Sequence, residues 1–444
     1  MKTRALTKRE KRTLWIALAM LAPNFLGFMV FTAGPVVFSL IMAFTNWDLT
    51  IHNHYSTEVV KFIGFENFIT LFRDEWRNFS FDFANTLYLM VGIPVSIALS
   101  LGAALLLEKP VGGVLAKRGG GRFILLTVVV TVLAAVSMAL LGVTAIGICM
   151  VVITGVMLIC GQIFGQTAFR TIFYLPNLTA GVAVYILWKA LYRPEGGPIN
   201  RLVQPVLDTT VSAVHASPSW LWQGGGWLLI IGALVLFAWF LVDGINKLRY
   251  RDITIVGLVF GAIGVAVVAF CVGWVGMVIS HLPATVAAAG DAGLLAPKWL
   301  ADPDWSKPAL IIMGVFMAVG SNNMLMYLAA LSNVPVSLTE AASIDGANKW
   351  QTFWNVTWPQ LAPTTFFIVI MSTIGGLQGG FDTARVMTEG GPANSTTTLS
   401  YYLYNQGFTD FKLGLASAIA WSLFLIIFLV TLINWKFGNQ MVND

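Results

Sequence analysis

Charge is scarce in this chain. Asp, Glu, Lys and Arg make up 11% of its 444 residues, where a soluble domain carries roughly 25%. So little charge cannot keep a surface wet, which excludes a string of ordinary soluble domains, a disordered chain and a collagen-like repeat. Residues with site chemistry are also few. The four histidines (His52, His54, His215, His281) are scattered and form no His-Glu-x-x-His spacing. The three cysteines, Cys149, Cys160 and Cys271, all lie inside apolar runs; an odd, buried set is neither a disulfide framework nor a metal cage. There is no Gly-x4-Gly-Lys-Ser/Thr loop to cradle a nucleotide, and Gly119–Gly121 beside Lys117 and Arg118 reads as a flexible turn. Asp382 and Glu389 offer acids for a membrane enzyme, but no paired-carboxylate or metal spacing supports one.

What fills the chain instead is apolar mass. Hydrophobic residues reach 57%, with 16 Trp and 30 Phe, and the mean hydropathy is +0.77. Such a chain uses lipid as its solvent. One helical crossing takes roughly 20 residues. On that measure crossings are expected at 14–44, 84–107, 171–191, 226–242, 253–281, 309–333, 364–380 and 413–435. The uncharged run 123–162 is too long for one straight crossing and predicts a tight hairpin of two, turning near Gly142–Gly147. The predicted fold is an all-α polytopic membrane protein of about ten transmembrane helices. The basic start (Lys2 to Arg12) followed by a long apolar run reads as a retained first helix rather than a signal peptide. None of these assigned crossings contains Asp or Glu. Intramembrane carboxylates commonly carry proton or sodium coupling, so their absence argues against an ion-driven transporter. An uphill transporter of this kind needs a partner to supply energy.

The net charge of +5 is explained by position. With an even number of crossings and the N-terminus cytoplasmic, inside segments hold sixteen Lys and Arg against eight outside, or ten counting Lys189 and Lys412 at helix ends. That is the positive-inside pattern. Both termini are therefore expected in the cytoplasm, and no patch indicates nucleic acid.

Residues 334–362 form an inside segment of unusual regularity. Ser337 and Glu340 have capping-box spacing, which predicts a helix start. Ala341 and Ala342 favour the helix and leave its side flat, and Gly346 can take the left-handed conformation that ends it. Beyond it, Trp350, Phe353, Trp354 and Trp358 share one helical face. The expectation is helix, glycine turn, helix at the membrane surface, either as a docking element or as an ordinary interfacial helix.

The same residues carry a resemblance. Glu340-Ala341-Ala342, Gly346 and Val356-x-Trp358-Pro359 resemble the EAA signature of permease subunits of binding-protein-dependent ABC importers, with Trp358 where the family has Leu. The branch related to maltose and glycerol-phosphate uptake is most similar. Leu26-Gly27-Phe28, Phe44-Thr45-Asn46-Trp47-Asp48, Asn85-Thr86-Leu87, Phe169-Arg170-Thr171, Trp299-Leu300, Gly390-Gly391-Pro392 with Thr397, and Ala416-Ser417-Ala418 resemble it too. Members of that branch commonly have six crossings, so 110–166 and 208–297 look like inserted helical hairpins within one permease domain, 1–444.

The resemblance implies a non-enzymatic translocation subunit in a bacterial inner membrane, importing a sugar or related solute by alternating access. It implies that Glu340, Ala341, Ala342, Asp345 and Gly346 contact a separate ATPase, although Glu340 can equally serve only its helix cap. It implies a second permease subunit (a heterodimer by analogy), two cytoplasmic ATPases that hold the ATP and Mg, an extracytoplasmic solute-binding protein and membrane lipid. No cofactor is expected on this chain. Asn322, Asn323, Tyr327, Gln378 and Phe381 are candidates for the substrate path. Polar groups in a membrane must face a cavity or one another, so each amide either meets solute or holds the bundle by an interhelical hydrogen bond. The lack of buried Lys or Arg disfavours a phosphate substrate.

Overall fold

The computed structural model describes residues 8–55, 58–108, 128–129, 131–132, 170–171, 173–174, 181–249, 255–290 and 293–443. Among these the secondary structure is helical, apart from one isolated antiparallel bridge between Thr45 and Phe62. Seven helical stretches are long and apolar enough to cross a membrane: Lys11–Ala43, Trp76–Glu108, Ser219–Asn246, Val272–Ala289, Pro303–Ser332, Lys349–Gln378 and Leu413–Asn434. All but residues 128–129 and 131–132 of the hairpin expected at 123–162 lies outside the described residues, as does most of the hairpin placed at 110–166. Of the crossing expected at 171–191, the described part includes the ten-residue helix Val182–Leu191.

The chain divides into two compact units, Met1–Ala84 with Thr398–Leu429, and Asn85–Thr397 with Val430–Asp444. The first unit packs Leu71, Phe79, Leu399, Tyr402, Leu415, Ile419 and Leu423 into one core. Asn67 ties its entry loop by donating to the carbonyls of Ala43 (2.9 Å) and Thr45 (2.8 Å). Gly414 lies against the Thr45 carbonyl, where a β-carbon would collide. Tyr402 donates to the Glu75 carboxylate at 3.3 Å. Burial, reinforced by the neighbouring Glu75 charge, pushes the Tyr402 phenol well above its ordinary value.

The second unit has two cores. One joins Ala103, Ala104 and Leu107 to Met324, Tyr327, Leu331, Leu361 and Ile368. The other gathers Tyr192, Trp299, Leu310, Met313 and Met387. Lipid tails are as apolar as leucine, so helices here are held by close packing and interhelical hydrogen bonds rather than by release of water. Ser100 is such a bond, donating to the Ala318 carbonyl at 2.8 Å from a fully buried position.

Also in this unit, Ser219–Arg249 and Ile255–Ala289 pack along each other as a helical hairpin. Their backbones touch at Gly226 and Gly276, where a β-carbon on Gly276 would lie 2.7 Å from the Gly226 carbonyl. Small residues at a membrane helix seam permit this approach. The inserted segment placed at 208–297 begins inside the preceding helix, Pro198–Ala216.

Two sequence expectations are corrected. The crossing placed at 84–107 begins at Trp76, which brings Asp82, only 4% exposed, into a membrane-length helical stretch. The crossing placed at 226–242 is likewise longer and takes in Asp243. Both stretches are longer than one crossing needs, and their added turns carry the carboxylates. Aromatic and amide residues of the Trp76 turn are mixed with charge, so hydropathy alone starts the crossing too late.

Candidate functional site

Residues 336–352 fold as helix, glycine turn, helix. The first helix is Val336–Ile344. The capping box expected from Ser337 and Glu340 is absent. Pro335 occupies the N-cap in an extended conformation with no side-chain cap, so Ser337 falls one residue inside the helix. The capping box sits instead at the next helix start. Asn348 accepts from the Gln351 backbone at 2.8 Å and Gln351 accepts in return at 2.9 Å.

The C-terminus follows the sequence reading. Asp345 is the C-cap residue and Gly346 has φ +80°. The Gly346 amide donates to Ser343 (3.2 Å) and the Ala347 amide to Ala342 (2.9 Å), the paired closure that a left-handed residue permits. Glu340, Ala341, Asp345 and Gly346 are exposed, and no residue of the Val336–Ile344 helix is buried. Ile344 is 86% exposed. Behind it, Trp354 packs between Trp350 (5.7 Å) and Trp358 (5.6 Å), across a π-helical turn at Phe353–Thr357.

The candidate path residues fall at helix ends. The span Pro303–Ser332 is two helices, Pro303–Ala318 and Asn322–Ser332, broken at 319–321. Gly320 lies against the Phe173 backbone, where a β-carbon would collide with that carbonyl. Ser321 caps the new helix by accepting from the Asn323 amide at 3.3 Å. Asn322 accepts from the Tyr174 hydroxyl at 3.1 Å. Asn322 and Asn323 thus open a helix within a span, the kind of break that sets polar groups at membrane depth. Tyr327, further along, is fully buried and donates to Thr365 at 3.2 Å. Gln378 is the exposed last residue of Trp358–Gln378, and Phe381 lies beyond a glycine turn with the Arg385 guanidinium 5.7 Å from its ring.

One polar knot escaped sequence reasoning. Glu389, Gly390, Ala393 and Asn394 all have positive φ, and Ser395, Thr396 and Thr397 are buried. Asn85, only 1% exposed, donates to the carbonyls of Asn394 and Thr397, both at 3.0 Å. Thr388 and Thr396 share a 2.6 Å hydroxyl contact, and Ser306 meets Ser395 at 2.9 Å. The resemblance singled out Asn85 and Thr397 separately. A separation of about three hundred residues hides their contact. Asn85→Asp replaces both donors with an acceptor facing two carbonyls. Leaving buried groups unpaired costs about 1–3 kcal/mol each, so the variant is expected to lose at least ~3 kcal/mol, and Asn85→Ala less. Thermal unfolding of both variants checks this; an unshifted Asn85→Asp midpoint would show that the clamp holds nothing.

Among the described residues no group of three or more His, Cys, Asp or Glu is placed to hold a metal. The profile of the binding-protein-dependent transport system inner membrane component family matches residues 109–437. The chain belongs to that family. This permease is similar along most of its length to the probable ABC transporter permease protein YesP of Bacillus subtilis, with 25% identity covering 96% of this chain and 91% of that one. It is 40% identical to the sn-glycerol-3-phosphate transport system permease protein UgpA of Agrobacterium fabrum over 123 residues, 28% of this chain and 42% of the relative. It is 50% identical to the lactose transport system permease protein LacF of Rhizobium radiobacter over 112 residues, 25% and 37% of the two chains. It therefore spans less than half the length of those two relatives. A chain of a bacterial alginate ABC transporter, solved with an alginate pentasaccharide-bound periplasmic protein, shares the fold at TM-score 0.56 and 18% identity, covering 98% of this permease and 97% of that chain. The permease is accordingly a multi-pass membrane protein of a transport system, and transport rather than catalysis is its family's role.

Proposed function

We propose that this chain is the translocation subunit of an ATP-driven importer that takes up a sugar or related polyhydroxylated solute. The observation that carries the reading is the Val336–Ile344 helix, closed by Gly346 and with none of its residues buried. A short helix that presents Glu340, Ala341 and Ile344 outward, followed by the edge-to-face and tilted cluster of Trp350, Trp354 and Trp358, is shaped to seat in a partner's groove. In this reading two cytoplasmic ATPases hold ATP and Mg, and their closure moves paired docking helices of this chain and a second permease subunit. The resulting rigid-body switch alternates access to the path. A solute-binding protein delivers the sugar on the other side. Both termini of this chain face the cytoplasm, and the hairpins at 110–166 and 208–297 are additions to a six-crossing core. The relatives named for lactose and glycerol phosphate, and the alginate transporter, support a carbohydrate class. Asn322, Asn323 and Gln378 supply amides suited to hydroxyl-rich solutes, and Phe381 supplies a ring face for a sugar.

Liposomes test this. The purified chain alone is expected to accumulate no sugar under a proton or sodium gradient, and to do so only with its second permease subunit, ATPase, binding protein and ATP present. Accumulation by the lone chain on an ion gradient would sink the reading and return attention to Asp82.

A further inference from the structure

The second unit carries a cleft of about 580 Å³ that the transport reading does not use. Its cations are Lys189, in the last turn of the apolar helix Val182–Leu191, and Arg193 just beyond. Its floor is Tyr192, 1% exposed, whose hydroxyl donates to the Ala309 carbonyl at 2.8 Å. The Tyr192 ring is fixed between Trp188 and Trp299, each with centroids 5.4 Å away. Ile186, Leu300 and Met387 give the cleft apolar walls.

Two features restrict what fits. Among the described residues neither Lys189 nor Arg193 forms an ion pair with a carboxylate. Lys189 has only a long contact, 3.4 Å, to the Val386 carbonyl. The cleft also lies where the apolar helix Val182–Leu191 ends and the membrane-length stretch Pro303–Ser332 is about to begin, and the ends of such helices are where a chain of this kind meets lipid headgroups. A soluble anion would use the cations and waste the apolar walls, and a neutral acyl chain would do the reverse. We infer that the cleft binds the phosphate of an anionic phospholipid, with Lys189 and Arg193 on the phosphate and the start of the acyl region against Ile186, Leu300 and Met387. A guanidinium fork and an ammonium complement a phosphate, and the apolar wall adds burial that a free phosphate lacks.

The test needs no transport assay. The full chain is purified into nanodiscs of phosphatidylcholine doped with phosphatidylglycerol, extracted, and its retained lipid read by native mass spectrometry. The wild type is expected to retain phosphatidylglycerol in preference to phosphatidylcholine. Each basic residue near a membrane surface contributes about fivefold in affinity, so Lys189→Gln with Arg193→Gln should lower retention roughly 20-fold. The charge-conserving pair Lys189→Arg with Arg193→Lys should keep most of it. Circular dichroism establishes that the variants are folded; if the double variant is not, each single one is measured, with about a fivefold loss expected. Retention unchanged in the folded glutamine variants would overturn the inference. So would displacement of the lipid by soluble glycerol phosphate, which would assign the cations to a water-borne anion instead.

Discussion

Gly346→Pro is expected to abolish ATP-driven uptake while leaving the helix content of the protein unchanged. Proline fixes φ near −65°, and Gly346 stands at +80°. The substitution also deletes the amide that donates to Ser343. Forcing the turn into another conformation costs about 1–3 kcal/mol and the lost bond about 1 more. Together these lower the population of correctly ended Val336–Ile344 helix by about 100-fold. No residue of that helix is buried, so the damage stays local and the bundle remains assembled. Uptake into vesicles and co-purification with the ATPase are the two readouts, and both should fall together. Gly346→Asn, which tolerates the left-handed region, should retain most activity. Full uptake and intact assembly with proline would remove this helix from coupling.

The second large effect is expected at Gly320, as lost stability. A β-carbon there would collide with the Phe173 carbonyl, and backbone cannot swing aside as the tip of a long side chain does. Gly320→Val should cost about 3 kcal/mol and push the Phe173–Tyr174 backbone away, breaking the Tyr174–Asn322 hydrogen bond. The matching control is Gly314→Val in the same span, where nothing lies within 4 Å of the added carbon. Thermal unfolding should separate the two by several degrees, with Gly314→Val near the wild type. Equal midpoints would mean that the break at 319–321 is not held by this contact.

Signals carried by local chemistry were readable in the sequence. Runs of apolar residues located the spans, since hydrocarbon thickness sets their length. Gly346 and the Trp350, Phe353, Trp354, Trp358 face were legible because both follow from helix geometry alone. The start of the Val336–Ile344 helix was not, because Pro335 takes the N-cap position two residues before Ser337. The helix that carries Asp82 was not legible, because the Trp, Phe and Asn residues around it hide in their hydropathy a helix that has already begun. The break at Gly320 has local marks in the sequence, the glycine itself and Ser321, which caps the helix opening at Asn322; the close approach of Phe173, from a distant segment, has none. Asn85 and the buried loop it clamps were invisible as a pair for the same reason, since they meet only in the folded chain.

The bare outer surface of the Val336–Ile344 helix has a bearing on how this lineage diverges. A residue that supports no interior is not disciplined by it, since no side chain of Val336–Ile344 is buried. Whatever holds Glu340, Ala341 and Ala342 to their pattern then lies outside the fold of this chain, and changes at these positions should be felt in assembly before they are felt in stability.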